Sequence, residues 1–144
     1  GDTFVGKGDG WFATRQGKSY RILLYNYRHF SHLYALGERF DMTFTDRYTP
    51  FDPVQQLDVH IALESIANGT YTVRETVLNR KSGSAFDQWL EMGALEPDSQ
   101  QELAVLEAHS IPKCSKYLAE AKNHTLELDA MLDMLEVRLL VIDP

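Results

Sequence analysis

Residues 71–93 read YTVRETVLNRKSGSAFDQWLEMG, and this stretch decides the fold. Its first half, Tyr71 to Leu78, alternates as a half-buried strand does. Its second half reads at once as a short capped helix. Ser84 is placed as an N-cap, with Asp87 as an acidic partner in the first turn. Phe86, Trp89 and Leu90 fall at i, i+3 and i+4 and so share one helical face. Gly93 stands where a left-handed C-terminal cap is wanted. A strand feeding directly into a small aromatic-faced helix is unusual in a chain that otherwise reads as β.

Upstream, Trp11 to Thr14 and Ser19 to Arg28 form a hairpin around Gln16-Gly17-Lys18. Within it, Tyr20 to Tyr27 is apolar on both faces, which predicts a strand covered on both sides. Residues 29–53 read as a long connection with a helical turn near Leu33 to Leu36 and a strand at Asp41 to Thr45. Leu57, Val59, Ile61 and Leu63 alternate with polar neighbours, the cleanest half-buried strand of the chain. Asn68-Gly69 is a strong hairpin signal, because both residues tolerate positive φ, and it predicts Thr70 to Leu78 as the partner of that strand. A second helix at about 98–108, capped by Asp98 or Ser99, buries Leu103 and Leu106. Tyr117 to Ala121, Thr125 to Leu128 and Leu135 to Ile142 close the chain as strands. Leu135, Val137, Leu139 and Val141 alternate with Glu136, Arg138 and Leu140. The expected fold is mainly β, an antiparallel β-sandwich with a short two-helix insertion. Residues 1–10 are a linker or lead-in strand, and 11–143 are a single sandwich domain with its helical insertion at about 83–110.

The chain has 144 residues, 44% of them hydrophobic and 24% charged, enough for one domain with a core. Its net charge of −7 and its scattered basic residues argue against nucleic-acid contact by this piece. No run approaches the length of a membrane span. The N-terminus, Gly1-Asp2-Thr3-Phe4, has no initiator Met and no leader pattern, so the chain is expected to be a piece of a longer protein. The single cysteine, Cys114, forms no intrachain disulfide and reads as a small, semi-buried residue.

No catalytic, cofactor-binding or metal residue is assigned. Gly6-Lys7-Gly8-Asp9-Gly10 resembles a phosphate loop but leads into a strand, not a helix. His29 and His32 are spaced H-x-x-H without companion ligands; they and His60, His109 and His124 read as surface residues. No serine sits in a G-x-S-x-G elbow, and Lys81-Ser82-Gly83-Ser84 is a turn followed by a cap. Glu75 shares a strand face with Tyr71, Val73 and Val77, so partial burial is expected; a salt bridge to an arginine is the plainer reading and an acid–base role the competing one. Aromatics crowd residues 20–51. They suit core or interdomain packing, and an exposed carbohydrate platform is the competing use. Asn68-Gly69-Thr70 and Asn123-His124-Thr125 match a glycosylation sequon, at a frequency that chance supplies.

The strand Tyr20 to Tyr27, the run Asn79 to Trp89 and the closing strand Leu135 to Leu139 together resemble the C-terminal part of glycoside hydrolase family 39, over residues 8–143. That family includes bacterial β-xylosidases and, more distantly, α-L-iduronidases. The resemblance implies a (β/α)₈ barrel followed by a β-sandwich, with the acid–base and nucleophile glutamates on the barrel. No glutamate of this chain matches those motifs, and a barrel needs about 250 residues. The implied role is a non-catalytic accessory sandwich whose partner is the catalytic barrel of the same parent chain, with no cofactor. An apolar surface from the 29–53 loop or the Phe86/Trp89 helix would dock there. Similar modules sit behind helix-turn-helix regions in AraC-type bacterial regulators, so a carbohydrate-sensing module with a carbohydrate ligand is the alternative. The loop Tyr34 to Phe40 departs from a plain xylosidase and reads more like an insertion. Either parent is expected in a bacterial cytoplasm.

Overall fold

In a computed structural model, residues 1–38, 43–51 and 55–144 are described. Eight strands and three helices follow one another as β1 (Thr3–Gly8), β2 (Trp11–Gln16), β3 (Ser19–Tyr25), α1 (His32–Ala35), β4 (Leu57–Glu64), β5 (Gly69–Leu78), α2 (Ala85–Glu91), α3 (Gln100–His109), β6 (Lys113–Ala121), β7 (Thr125–Leu132) and β8 (Val137–Asp143). They form an antiparallel sandwich of two unequal layers. One sheet has the order β1-β2-β3-β8-β5-β6; the other is the pair β4-β7. The expected fold class holds, with α2 and α3 inserted between β5 and β6.

The β2–β3 hairpin turns at Gly17 and Lys18, between the paired Gln16 and Ser19. The glycine-rich run at the start has a packing reason. A Cβ on Gly6 or Gly8 would come within 2.9 Å and 2.3 Å of the Trp11 indole, which lies across both residues. The run is the β1 strand and its turn, paired along β2.

Asn68-Gly69 does not make the expected hairpin. β4 pairs with β7, and β5 pairs with β6 and β8. The inward side chains of β4, Leu57, Val59, Ile61 and Leu63, pack against a core that includes Tyr71 and Val73 of β5, so the two strands belong to different layers. Asn68 instead ties two corners together. Its Oδ1 accepts from the His124 N–H at 2.7 Å, and the Ile66 N–H donates to the His124 carbonyl at 3.2 Å. A tight turn with two consecutive positive φ values stands instead at Asn123-His124, at 51° and 64°, where the chain passes from β6 to β7. Asn tolerates that region, which explains its place there. The Tyr71 hydroxyl donates to the Ala67 carbonyl at 3.0 Å and pins the same end.

The core lies between the layers: Ile22 and Leu24 of β3, Tyr71 and Val73 of β5, Leu126, Leu128 and Leu132 of β7, and Leu140 and Ile142 of β8. β3 is covered on one face only. Leu23 and Tyr25 on the other face are half-buried, and Tyr27, beyond the strand, is 64% exposed. The faces of β8 are also the reverse of the simple apolar alternation. Glu136 precedes the strand and, with Arg138, Leu140 and Ile142 in it, points inward, while Val137 is 36% exposed. Residues 44 and 45 of the expected 41–45 strand lie in a 3₁₀ turn, Phe44–Asp46, which the Thr43 hydroxyl closes by donating to Asp46 at 2.8 Å; residues 41 and 42 lie outside the described residues. α3 buries none of its side chains, and Leu103 and Val105 are exposed, so no strong apolar face exists for the expected Leu103/Leu106 pair to define.

Candidate functional site

Two polar clusters lie where the helical insertion leaves the large sheet. The first begins with β5. Tyr71, Val73, Glu75 and Val77 share its inner face, and Val77 stands opposite Arg138 of β8. The Arg138 guanidinium donates to Glu136 through Nε at 2.9 Å and Nη2 at 2.5 Å, reaches Glu75 through Nη1 at 3.3 Å, and donates to the Met131 carbonyl at 2.8 Å. Glu136, only 2% exposed, also accepts from Asn79 Nδ2 at 2.9 Å and from the Asp133 N–H at 3.2 Å. The expected arginine partner of Glu75 is therefore Arg138. Both carboxylates lie against one guanidinium, which balances one of the two negative charges, and the group acts as a strut between β5, β8 and the turn before β8. An open cleft of about 360 Å³ runs past Glu75, Asn79, Lys81, Lys113, Asp133 and Glu136.

The second cluster caps α2. Ser84 Oγ accepts from the Asp87 N–H at 3.2 Å and donates to Asp87 Oδ2 at 2.6 Å. The Tyr48 hydroxyl donates to the same oxygen at 2.8 Å, and Arg80 Nε donates to Oδ1 at 2.8 Å. The Arg80 guanidinium lies 3.8 Å above the Tyr48 ring, and that of Arg47 lies 4.3 Å from the centre of the Phe86 ring. The sequence marks Ser84 and Asp87 as cap partners. It gives no signal that Tyr48, 39 residues away, closes over them. Burial alone would raise the Asp87 carboxyl, but hydrogen bonds from Ser84, Arg80 and Tyr48 outweigh it and hold it below the ordinary carboxylate range. Burial, reinforced by the hydrogen bond to Asp87, pushes the Tyr48 phenol up. A cleft of about 380 Å³ opens beside this cluster, lined by Arg80, Lys81, Asp87, Leu90, Asp133 and Met134 among others. The helix ends as its sequence predicts, with Gly93 at φ 100°.

A third region is aromatic and largely uncovered. Phe30 stacks on Phe51 at 5.1 Å and meets Tyr34 at 4.8 Å, and Tyr27 meets His29 edge-on at 4.9 Å. Tyr27, Phe30, Leu33 and Leu36 are each half or more exposed. Tyr25 and Tyr27 also border a hollow of about 430 Å³ with Asp9, Asn26, Arg28 and His29. The five histidines are exposed; His60 pairs with Asp129 at 2.7 Å. Among the described residues no three His, Cys, Asp or Glu side chains gather as a metal site. Cys114 is exposed, not semi-buried, because its position on β6 faces outward at a sheet edge.

Over 96% of its length the chain superposes on a monomeric β-xylosidase from Caulobacter crescentus, with a TM-score of 0.72 at 20% identity. A glycoside hydrolase family 39 enzyme from Xanthomonas axonopodis pv. citri gives 0.71 at 14% identity over 95% of the chain, and a bacterial orthologue of human α-L-iduronidase gives 0.61 at 11% over 93%. The likeness is one of fold. The chain spans 27%, 26% and 22% of those three chains. In sequence, 109 residues are 21% identical to uncharacterized HTH-type transcriptional regulators of Staphylococcus aureus, of which the chain spans 13%. No family model matches.

The two clusters make different predictions. Replacing Arg138 by Met leaves Glu136 and Glu75 without their counter-charge and is expected to cost about 3–5 kcal/mol in urea unfolding; a loss under about 1 kcal/mol would remove the strut. Asp87 has a depressed carboxyl, so its contribution is complete above the ordinary carboxylate value of about 3.9 and fades as pH falls through the lower folded value. Asp87→Asn should therefore cost about 1–3 kcal/mol at pH 7. The gap from wild type should narrow once the pH drops below about 4. Unfolding curves at the two pH values read this, and an equal gap at both would contradict the cap.

Proposed function

We propose that this chain is the non-catalytic sandwich domain of a protein like those of glycoside hydrolase family 39, of β-xylosidase type, packing against a (β/α)₈ catalytic barrel elsewhere in the parent chain. In this reading residues 11–143 are one domain, with the helical insertion at about 83–110, and the domain needs no cofactor. The observation that carries it is the superposition of nearly the whole chain on about a quarter of the β-xylosidase chains. The carboxylate pair Glu75 and Glu136 supports the same reading. Retaining hydrolysis needs two carboxyls about 5–5.5 Å apart, one of them free to donate a proton. Glu75 and Glu136 are instead tied to the same arginine.

The docking surface in this reading is the arm from Tyr27 to Leu36, together with the Phe86 side of α2, against which Tyr48 packs. α1 buries no residue, and Leu33 and Leu36 are 50% and 69% exposed. An apolar arm of this kind is what an interdomain contact uses. The acidic net charge argues against nucleic-acid contact by the domain itself. We read the parent as a bacterial cytoplasmic protein; no described helix is long and apolar enough to cross a membrane.

The match to HTH-type regulators favours a second reading, in which the same sandwich is a carbohydrate-sensing module of an AraC-type regulator. The Tyr25–His29 hollow, with two tyrosines beside Asp9 and Arg28, is the place such a ligand would enter. Titrating the chain with xylo-oligosaccharides under tryptophan fluorescence separates the two. The accessory reading expects no saturable change; saturable binding that Tyr27→Ala abolishes would replace it with the sensing one. For docking, Leu33→Ser combined with Leu36→Ser should change the stability of the chain alone by less than about 1 kcal/mol, as surface substitutions do. In the full parent polypeptide the same pair should lower the midpoint of barrel unfolding by a few degrees. An unchanged midpoint there would sink the arm as the docking surface.

A further inference from the structure

The six-stranded sheet ends in two edges of different character. At one edge β1 is interrupted by a bulge between Phe4 and Gly6, which twists the strand and discourages further pairing. At the other, β6 pairs with β5 in unbroken register from Lys113 to Ala121 and presents its far side to no described strand. It contains neither Pro nor Gly, and every residue from Lys113 to Leu118 is exposed. Such an edge carries a row of backbone N–H and C=O groups that a further strand can satisfy.

We propose that β6 is a self-association edge, on which a second copy of this chain adds its own β6 antiparallel about a two-fold axis at Leu118. The sequence of the strand supports that occupant and that register. Lys116, Leu118 and Glu120 share the outer face, opposite Arg74, Thr72 and Thr70 of β5. Leu118 is 70% exposed. Arg74 is already paired with Asp143, and Lys116 has no acidic partner among the described residues. Centred on Leu118, the pairing sets Leu118 of one copy against Leu118 of the other. It also sets Lys116 of each copy opposite Glu120 of the other, so both charge pairs are complementary at once. A two-fold contact must be self-complementary in this way. Other registers lack these pairs: centring on Lys116 puts that lysine against itself, centring on Ala119 puts Lys116 against Lys122, and centring on Tyr117 opposes no like charges but sets Lys116 against Leu118 and Glu120 against Cys114, with no charge pair. Opposite charges across strands are favourable and directly opposed like charges unfavourable, so the two Lys116–Glu120 pairs favour the register centred on Leu118. Tyr117 then lies against Ala119 of the other copy on the inner face. The Caulobacter crescentus β-xylosidase of the same fold is monomeric, so this edge would be a property of the present chain.

Sedimentation equilibrium of the 144-residue chain from micromolar to submillimolar concentration tests the pairing. The expected result is a monomer–dimer equilibrium. Lys116→Glu and Glu120→Lys should each weaken the dimer by roughly tenfold, since each places two like-charge pairs across the new ladder. The double exchange, Lys116→Glu with Glu120→Lys, should restore it. A monomer at every concentration overturns the proposal, as does a dimer that neither single reversal weakens. Amide exchange on the wild-type chain gives a reading independent of variant folding. The amides of residues 115–121 should slow as concentration rises, and exchange independent of concentration there would refute the edge.

Discussion

The buried guanidinium of Arg138 is the contact on which the rest of the arrangement depends. β8 is an inner strand of the large sheet, and at its start it turns a glutamate and an arginine inward where a sandwich wants apolar side chains. That is tolerable only because Glu136, Glu75 and the Met131 carbonyl meet the guanidinium, while Asn79 and the Asp133 N–H meet the remaining carboxylate sites. A buried ion pair of this kind is weak as a source of stability but exacting about geometry, since removing either partner strands a charge. Its geometric consequence is large. Asn79, the residue after β5, is fixed to Glu136, and the following turn closes through paired Asn79 and Ser82. The chain therefore leaves the sheet in one direction, and α2 starts where Tyr48 and Arg80 can both reach Asp87.

Asn26 extends the same constraint to the other layer. It is 4% exposed, and its side-chain amide donates to the carbonyls of Asp133, Gln55 and Leu132 at 3.0, 3.2 and 3.3 Å. Its backbone exchanges hydrogen bonds with Glu136 and Leu135. One buried amide thus joins the end of β3, the entry to β4 and the turn between β7 and β8. The apolar core holds the two layers together, whereas the polar residues fix how they are offset. Hydrophobic burial is non-directional and cannot do this alone; hydrogen bonds with satisfied partners can.

Local signals in the sequence were legible where the deciding physics is local. Ser84, Asp87 and Gly93 bound α2 as capping chemistry requires, and Gly17 lies in the hairpin turn that its neighbours imply. Two of the misreadings arise where a distant partner decides. Asn68-Gly69 has the chemistry of a hairpin, yet β4 finds β7, because its apolar face is needed across the core from β5 and not beside it. In β8 the apolar alternation of Val137, Leu139 and Val141 points outward, because inward Arg138 is met by Glu136 beside it and by Glu75 across on β5, which no periodicity reveals. Glu75 was the exception, since its position among Tyr71, Val73 and Val77 already required a cation nearby. Tyr48 could not be found in this way, because nothing around it marks a partner 39 residues ahead.

The contrast between the strut and the aromatic arm bears on what the domain is for. The strut is complete within the chain: the inward charges on β5 and β8 meet partners that the chain itself supplies. The arm is not. α1 has four residues, buries none of them, and is capped only by Ser31, whose hydroxyl accepts from the Tyr34 N–H at 3.4 Å. A helix so short has no stability of its own and must be fixed by tertiary contact. Among the described residues that contact includes the stacking of Phe30 on Phe51 and Tyr34 and the Ser31 N–H on the Pro50 carbonyl. The ordering of Tyr27, Leu33 and Leu36 gains little from it. Side chains held in place at half or greater exposure lose rotamer freedom without the burial that normally offsets it. An exposed apolar arm of this kind is what an interdomain contact uses, and it is the ground on which we propose that this sandwich is one wall of a larger molecule.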